Sequence, residues 1–465
     1  MIFSPGIHWE VSLAFAPNLP MIQRMQQSTT LDILKMGRNV FLTGAPGTGK
    51  THVLRSYVRY LRDHGVFPVL AAPTGIAASH IGGMTLHSCF GLGHVEQVPT
   101  PAYLKRALGK PLVRRRLSGM QVLIVDEVSM LSPVLFMTMD LMLRAAKGKD
   151  MPFGDVQVVL SGDFFQLPPV SRTREELRYA WQTPLWEELG LHTCYLHEVY
   201  RQRDGELLTL LEEIRCGSVS EGSMDCLRRR YRRRPEVAAE PTKLYTHNAD
   251  IDRINAERLE ALGGRPATFV AREQGPADKT KKILSSSLLS TVLQLKVGAS
   301  VMFIKNSPEG DFINGTLGTV VEFDEEDGYP HVETAGGVIH ARPLEWQLED
   351  EEGKTEARVT QVPLRLAWAI TVHKSQGMTL DAAEIDLSKT FEAGQGYVAL
   401  SRLKSMEGLM LMGMNQVALL VDEQVSAYDE EMRRLSAQIE DRFAEAASLD
   451  IQVAQRGFLL AAGGR

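Results

Sequence analysis

The chain has little of what commits a protein to a membrane, an oxidising compartment or a charged coat. Its four cysteines, Cys89, Cys194, Cys216 and Cys226, are scattered with no C-x-x-C pair. That excludes a disulfide framework or zinc knuckle and points to reduced thiols in a cytosol. No apolar run approaches the ~20 residues of a membrane span. Residues 1–20 are mildly apolar but lack a basic n-region, so they read as an N-terminal extension, with Met21 or Met25 as alternative starts. Positive charge is not in excess: 51 Lys and Arg against 57 Asp and Glu leave a net charge of −6. Any contact with a polyanion must then be a local channel rather than a global field. There is no solenoid-type repeat. The expected location is cytoplasmic, with no membrane partner.

What is present is ordinary globular protein, 44% hydrophobic and 23% charged, long enough at 465 residues for several domains. The stretch that organises it is Gly44-Ala45-Pro46-Gly47-Thr48-Gly49-Lys50-Thr51, a G-x-x-x-x-G-K-T pattern. Residues 39–43 before it form an apolar run, as in a buried parallel strand. After it Val53, Leu54, Tyr57, Val58 and Leu61 mark a helical stripe. Strand, glycine-rich loop and helix N-terminus are the setting of a phosphate loop. Glycines let backbone N–H groups curl around an anion, and the helix end adds partial positive charge. Lys50 would reach the β- and γ-phosphates of a nucleoside triphosphate, and the Thr51 hydroxyl would hold Mg²⁺.

Further apolar runs at residues 67–72, 121–125 and 155–160 each end in a polar motif. Strands alternating with helical stretches predict a parallel, doubly wound sheet, whose ligands gather at the carboxyl ends of the strands. Residues 21–35 suggest a short helix feeding the first strand, with Gln26 and Gln27 near its start. Residues 89–119 differ in texture: Lys105, Arg106, Lys110, Arg114, Arg115 and Arg116 appear with no acid after Glu96. That stretch reads as a small insertion, either a solvated loop or a wedge facing DNA. The basic cluster at 228–234 reads chiefly as a solvated helix face. Short strands separated by Gly, Pro and acidic turns between about 296 and 358 suggest a small barrel or sandwich. The α/β pattern resumes at 367–370, 383–387 and 409–412, so a second sheet interrupted by a β insertion is expected, with a closing helix over 430–446.

Asp126 and Glu127 directly follow an apolar strand. Asp126 would bind Mg²⁺, and Glu127 would polarise the attacking water. Side chains alternate along a strand, so the backbone must bend to bring both to one phosphate. Gln166, in Gly162-Asp163-Phe164-Phe165-Gln166, would sense the γ-phosphate. Arg201 and Arg402 suit neutralisation of charge on a transferred phosphoryl group; interlobe salt bridges are the alternative.

In this order the motifs resemble those of superfamily-one helicases. The nearest resemblance is to bacterial-type Pif (petite integration frequency) helicases, in the RecD-like, 5′-to-3′ branch, and it runs from about residue 27 to 412. Residues 72–78 with 83–87 resemble the first lobe's single-strand motif, 371–380 the second lobe's DNA motif, and 394–402 the last motif. Residues 152–158 ahead of 162–166 resemble the family signature, with Asp155 where the family usually has a second glycine. Residues 297–302 and 314–318 resemble the segment leading into an SH3-like insertion.

The resemblance implies an α/β fold of two RecA-like parallel-sheet domains, a P-loop NTPase, with a small wedge in the first and an SH3-like β-barrel in the second. The implied bounds are an extension at 1–20, domain one at 21–195 with its wedge at about 89–119, domain two at 196–295 and 359–442, the β insertion at 296–358, and a tail at 443–465. It makes Arg201 and Arg402 arginine fingers and gives adenine reading to Gln27, with Gln26 as rival. ATP contacts would come from Gly44, Ala45, Pro46, Gly47, Thr48, Gly49, Lys50, Thr51, Gln166, Gly377 and Arg402, with Mg²⁺ on Thr51 and Asp126. DNA contacts would come from Pro73, Thr74, Gly75, Gly83, Thr85, His87, Thr371, His373 and Lys374. A monomeric or weakly associating ATP-dependent DNA helicase is implied, acting on single-stranded DNA and single-strand/duplex junctions in repair, recombination and telomere maintenance. A DNA-stimulated ATPase that remodels protein–DNA complexes without unwinding is the alternative.

Overall fold

The structure is a computed structural model that describes residues 25–93, 95, 97–169, 178–200, 204–235, 241–287, 289–312, 314–334, 336–349 and 355–465. Residues 1–20 and Arg201 lie outside the described residues. The first lobe is built on six parallel strands, in the order Met84–Thr85, Val69–Ala72, Val122–Val125, Gln157–Ser161, Val40–Gly44 and His192–Leu196. Every residue of Val40–Gly44, Val122–Val125 and Gln157–Ser161 is buried, as a sheet covered on both faces requires. Helix Lys50–Asp63 lays Val53, Leu54, Tyr57 and Leu61 onto this sheet. The Tyr57 hydroxyl donates to Gln157 Oε1 at 2.6 Å, and Gln157 Nε2 donates to the carbonyls of Leu34 (3.0 Å) and Arg38 (2.8 Å). A polar side chain is thereby satisfied inside an apolar layer.

Residues 101–119 form two helices, Pro101–Gly109 and Pro111–Gly119, each opened by proline at its first position. Val113 and Leu117 anchor the second in the core. Part of the basic stretch is occupied locally: Arg116 donates to the carbonyls of Ser88 and Cys89 at 3.0 and 2.9 Å, and Lys110 to that of Gly91 at 3.1 Å.

The second lobe holds four parallel strands, in the order Ala369–Thr371, Thr242–Tyr245, Ala383–Leu387 and Leu409–Met414, flanked by helix Asn248–Ala261. In the cluster at 228–234, Arg228 pairs with Glu221 and Asp225, Arg229 with Glu206, and Arg230 Nε donates to Leu409 O at 2.9 Å. These are the bonds of a structural helix end.

Antiparallel strands interrupt this lobe. Five pair in the order Gly337–His340, Pro330–Thr334, Leu317–Phe323, Ser300–Phe303 and Leu364–Leu366 around Val301, Phe303, Val320 and Val332. Two smaller groupings, Leu344–Glu349 with Thr355–Gln361 and Arg272–Gln274, and Val292–Leu295 with Ala267–Val270, extend the antiparallel pairing beyond 296–358 on both sides.

After the second sheet the chain returns to the first lobe. Helix Glu423–Glu445 packs on strand His192–Leu196, where the Tyr195 N–H donates to Ser436 Oγ and its hydroxyl to Asp429 Oδ1, both at 2.9 Å. Residues 443–465, expected as a tail, contain helix Ser448–Ala461, with Leu459 buried and the Phe458 ring packed on Gly37. No helix among the described residues is long and apolar enough to cross a membrane. All four cysteines are free, and burial pushes the Cys89 and Cys194 thiols up to about 12.

Candidate active site

The loop between strand Val40–Gly44 and helix Lys50–Asp63 turns on left-handed glycines, with φ of +137° at Gly44 and +87° at Gly47 and Gly49. Space is short as well: a Cβ on Gly44 would lie 2.3 Å from Leu196 O, and one on Gly49 2.2 Å from Gln27 Nε2. Gln27 rests on the loop, donating to Thr48 O at 3.0 Å, whereas Gln26 is exposed at the helix N-cap. Thr48 Oγ1 donates to Ala45 O at 2.9 Å, and Pro46 is buried. Lys50 Nζ donates to Gly44 O (2.7 Å) and Ala45 O (3.1 Å), which holds the ammonium inside the loop. Burial pushes its pKa down, opposed by the carboxylates of Asp163, Glu127 and Asp126.

Asp126 leaves strand Val122–Val125 and accepts the Glu127 N–H at 3.0 Å. Glu127 has φ +54° and ψ +46°, a left-handed conformation that costs a non-glycine residue energy. It supplies the bend that lets two adjacent acids serve one site: both act on the Lys50 charge. Burial raises both carboxyl pKa values. Asp126 raises Glu127 further, against Arg402, Lys50 and a hydrogen bond from Gln376.

The second lobe meets these groups directly. Gln376 Nε2 donates to Glu127 Oε2 at 2.9 Å. Gly377 comes so close to His80 that a Cβ would lie 2.5 Å from its Nδ1, and a Cβ on Gly394 would lie 2.8 Å from Phe165 O and 3.3 Å from Gln166 O. Arg402 is 1% exposed, with Nε donating to Val398 O at 2.9 Å and Nη2 to Ser401 Oγ at 2.8 Å. Tyr200, adjacent in sequence to Arg201, donates its N–H to Gly47 O at 2.8 Å.

Two buried carboxamide oxygens at this junction, Gln166 Oε1 and Gln376 Oε1, have no hydrogen-bond partner among the described residues. A left-handed glycine loop and an enclosed lysine fit an anionic group between the lobes, while the orphaned buried acceptors call for a hydrogen-bond donor beside it. The Thr51 hydroxyl and Asp126 carboxylate are hard oxygen donors of the kind Mg²⁺ takes. The grouping Asp324, His331 and His340 lies instead on the antiparallel sheet, where His331 pairs with Asp324 (3.3 Å) and His340 with Asp327 (3.1 Å).

The residues expected to touch DNA lie at or just beyond strand ends in both lobes. Pro73, Gly83 and His87 are half-buried. Thr74 Oγ1 accepts the Ala77 N–H and Thr85 Oγ1 the Ser88 N–H, each at 3.3 Å, while a Cβ on Gly75 would lie 3.2 Å from Asn314 Nδ2. In the second lobe Thr371 Oγ1 accepts the Lys374 N–H at 3.2 Å. Burial lowers the pKa of His373 and takes Lys374 to about 8, with Arg365 adding to the effect and Asp252 opposing it.

Residues 22–216 match the family described as PIF1-like helicase, and residues 280–323 match the 2B domain of the DNA helicase Pif1. The ATP-dependent DNA helicase Pif1 of Psychrobacter sp. (strain PRwf-1) is 39% identical over 95% of this chain and 75% of its own length. The chain belongs to the PIF1-like helicases. The crystal structure of Pif1 helicase from Candida albicans superposes on it with a TM-score of 0.81 at 32% identity, over 89% of this chain and 100% of that one. The Bacteroides Pif1 helicase in complex with ADP-AlF3 and ssDNA does so with a TM-score of 0.70 at 31% identity, over 89% and 98%.

This PIF1-like helicase brings Lys50, Asp126, Glu127, Gln166, Gly377 and Arg402 to the junction between its lobes, with Gln27 resting on the glycine loop of the first. Two participants were not legible from sequence as such. Gln376 sits inside a quoted motif, yet its bond to Glu127 spans 249 positions. The other is a buried hub. Arg215 donates from Nη1 to both Asp163 oxygens at 2.9 Å and to the Tyr397 hydroxyl at 2.8 Å. From Nη2 it donates to the Tyr195 hydroxyl at 2.6 Å and Asp429 Oδ1 at 3.2 Å. The hub ties the Gly162–Gln166 motif to the helix Gln395–Leu400 just before Arg402.

Proposed function

We infer that the chain is an ATP-dependent DNA helicase driven by nucleotide hydrolysis between its two parallel-sheet lobes. The observation that carries this is the meeting of Glu127 from one lobe with Gln376 from the other, beside Lys50 and the buried Arg402. A site assembled from two bodies can convert hydrolysis into their relative motion. Differential affinity for ATP and ADP biases closure against opening. The Bacteroides relative's complex with ADP-AlF3 and ssDNA supports nucleotide and single-stranded DNA as its ligands.

In this reading Gln27 reads adenine, and the backbone of residues 44–49 with Lys50 holds the phosphates. Thr51 and Asp126 hold Mg²⁺, which neutralises phosphate oxygens when bound. Glu127 takes a proton from the attacking water, Gln166 senses the γ-phosphate, and Arg201 and Arg402 offset charge developing on the transferred group. Pro73, Thr74, Gly75, Gly83, Thr85, His87, Thr371, His373 and Lys374 hold the DNA backbone. Such contacts are sequence-tolerant, as stepping along a strand requires. We assign the antiparallel strands to an SH3-like barrel inserted in the second RecA-like domain, and the helices of residues 101–119 to a wedge at the single-strand/duplex junction. Translocation 5′-to-3′ by a monomeric or weakly associating cytoplasmic protein completes the reading.

The test is ATP-dependent opening of two partial duplexes, one with a 5′ and one with a 3′ overhang, beside a Lys50→Ala control. Opening from the 5′ overhang alone, lost in the control, is the expected result. DNA-stimulated hydrolysis with neither duplex opened would replace the motor by a remodelling ATPase.

A further inference from the structure

Gln376 follows the turn His373–Ser375, is 5% exposed, and reaches across to the other lobe. Its orientation follows from its partner: a carboxylate only accepts, so the amide nitrogen faces Glu127 Oε2 at 2.9 Å and Oε1 points elsewhere. That oxygen is buried and has no partner among the described residues. A buried acceptor left unpaired costs about 1–3 kcal/mol, so the fold retains a group that calls for a donor. The donor must sit beside Glu127, because one carboxamide binds both.

We propose that Gln376 holds the attacking water together with Glu127, so that the water site is complete only when the lobes are apposed. This deepens the hydrolase reading above and rests on it. The water gives one O–H to Gln376 Oε1 and the other to Glu127, which leaves a lone pair free to face the phosphate held by the glycine loop. On attack, the O–H bond to Glu127 breaks and its proton passes to the carboxylate. A bond forms from the water oxygen to the γ-phosphorus. The bond from that phosphorus to the bridging oxygen breaks, its electron pair leaving with ADP. Gln376 exchanges no proton; it fixes the direction of attack. Because it is carried by the second lobe, a change in lobe spacing removes one of the water's two acceptors, which gives DNA bound across both lobes a direct hold on hydrolysis.

The experiment is steady-state ATP hydrolysis at saturating single-stranded DNA for the parent, Gln376→Met, Gln376→Asn, Glu127→Gln and the double variant Glu127→Gln/Gln376→Met. Methionine keeps the length and loses both bonds; asparagine keeps the chemistry but is one methylene short. Both single variants at position 376 should lose about 10²-fold in kcat, with KM for ATP and the Kd for an oligothymidylate within about 3-fold of the parent. In the Glu127→Gln background, Gln376→Met should remove less than about 2-fold more, because the two residues act on one water. A kcat within about 2-fold of the parent, or losses that multiply independently, overturns the assignment and leaves Gln376 as packing. Absence of Lys50-dependent hydrolysis in the parent itself would instead overturn the hydrolase reading beneath it.

Discussion

Arg215 and Asp163 form a two-point ion pair away from water: one guanidinium nitrogen lies 2.9 Å from both carboxylate oxygens, at side-chain exposures of 2% and 1%. Such a pair gains little over a well-packed apolar pair, but loss of either partner strands a buried charge. Arg215→Met should therefore destabilise by roughly 3–5 kcal/mol, measured by urea unfolding. Asp163→Asn/Arg215→Met should lose less than the sum of the single variants. A single-variant loss below about 1 kcal/mol would mean that Tyr397 and Asp429 hold the junction without Arg215.

Asp155 stands at φ +66°, between a left-handed Gly154 and strand Gln157–Ser161, and its carboxylate pairs with Lys149 at 2.7 Å in exposed surroundings. A left-handed residue other than glycine costs roughly 1–2 kcal/mol, and an exposed pair returns about 0–1. Melting temperatures should fall in the order Asp155→Gly at or above the parent, and Asp155→Val well below both. A glycine variant that melts below the parent would show that the ion pair outweighs the backbone strain.

Lys374 has a pKa of about 8 because burial disfavours its charge. A DNA phosphate beside it would raise that value, so binding takes up a proton above pH ~8. Affinity should therefore fall as pH rises through that value, by up to ~10-fold per pH unit below the pKa of the bound form. Lys374→Met should bind more weakly and lose this slope. A slope that persists in Lys374→Met would assign the titration to another group.

Gly394 has φ +87° and faces Phe165 O, where a Cβ would lie 2.8 Å away. Alanine there is strained and pushes the lobes apart. Gly394→Ala should reduce DNA-stimulated turnover by about 10–100-fold while oligonucleotide binding holds, since misplacement of about an ångström costs that much. Unchanged turnover would mean that the lobes react in a more open arrangement.

The parallel strands were legible because a sheet buried on both faces demands unbroken apolar runs, and the phosphate loop because its backbone demands glycine at fixed spacing. Strand His192–Leu196 was harder to see: His192 and Thr193 break the run, although Thr193 is buried. The docked helix Ser448–Ala461 read as a tail because Gly457 and its short apolar stretch give no strong stripe. Arg215 looked like any helix-end arginine, since its partners lie 20, 52, 182 and 214 positions away. Motifs announce the chemistry carried by one segment; a bond between two distant segments leaves no local trace.

The polypeptide leaves the first sheet after Leu196 and rejoins it through helix Glu423–Glu445, which is bonded to Tyr195 on that same last strand. The second lobe is thus a long loop of the first, held at two neighbouring roots. A body fixed at one root can swivel in any direction; fixed at two, it swings like a gate about the line that joins them. The stroke of this machine is set by where those roots sit, and loosening the root at Tyr195, which Ser436 and Asp429 both hold, would turn a gate into a swivel without touching a residue that meets nucleotide or DNA.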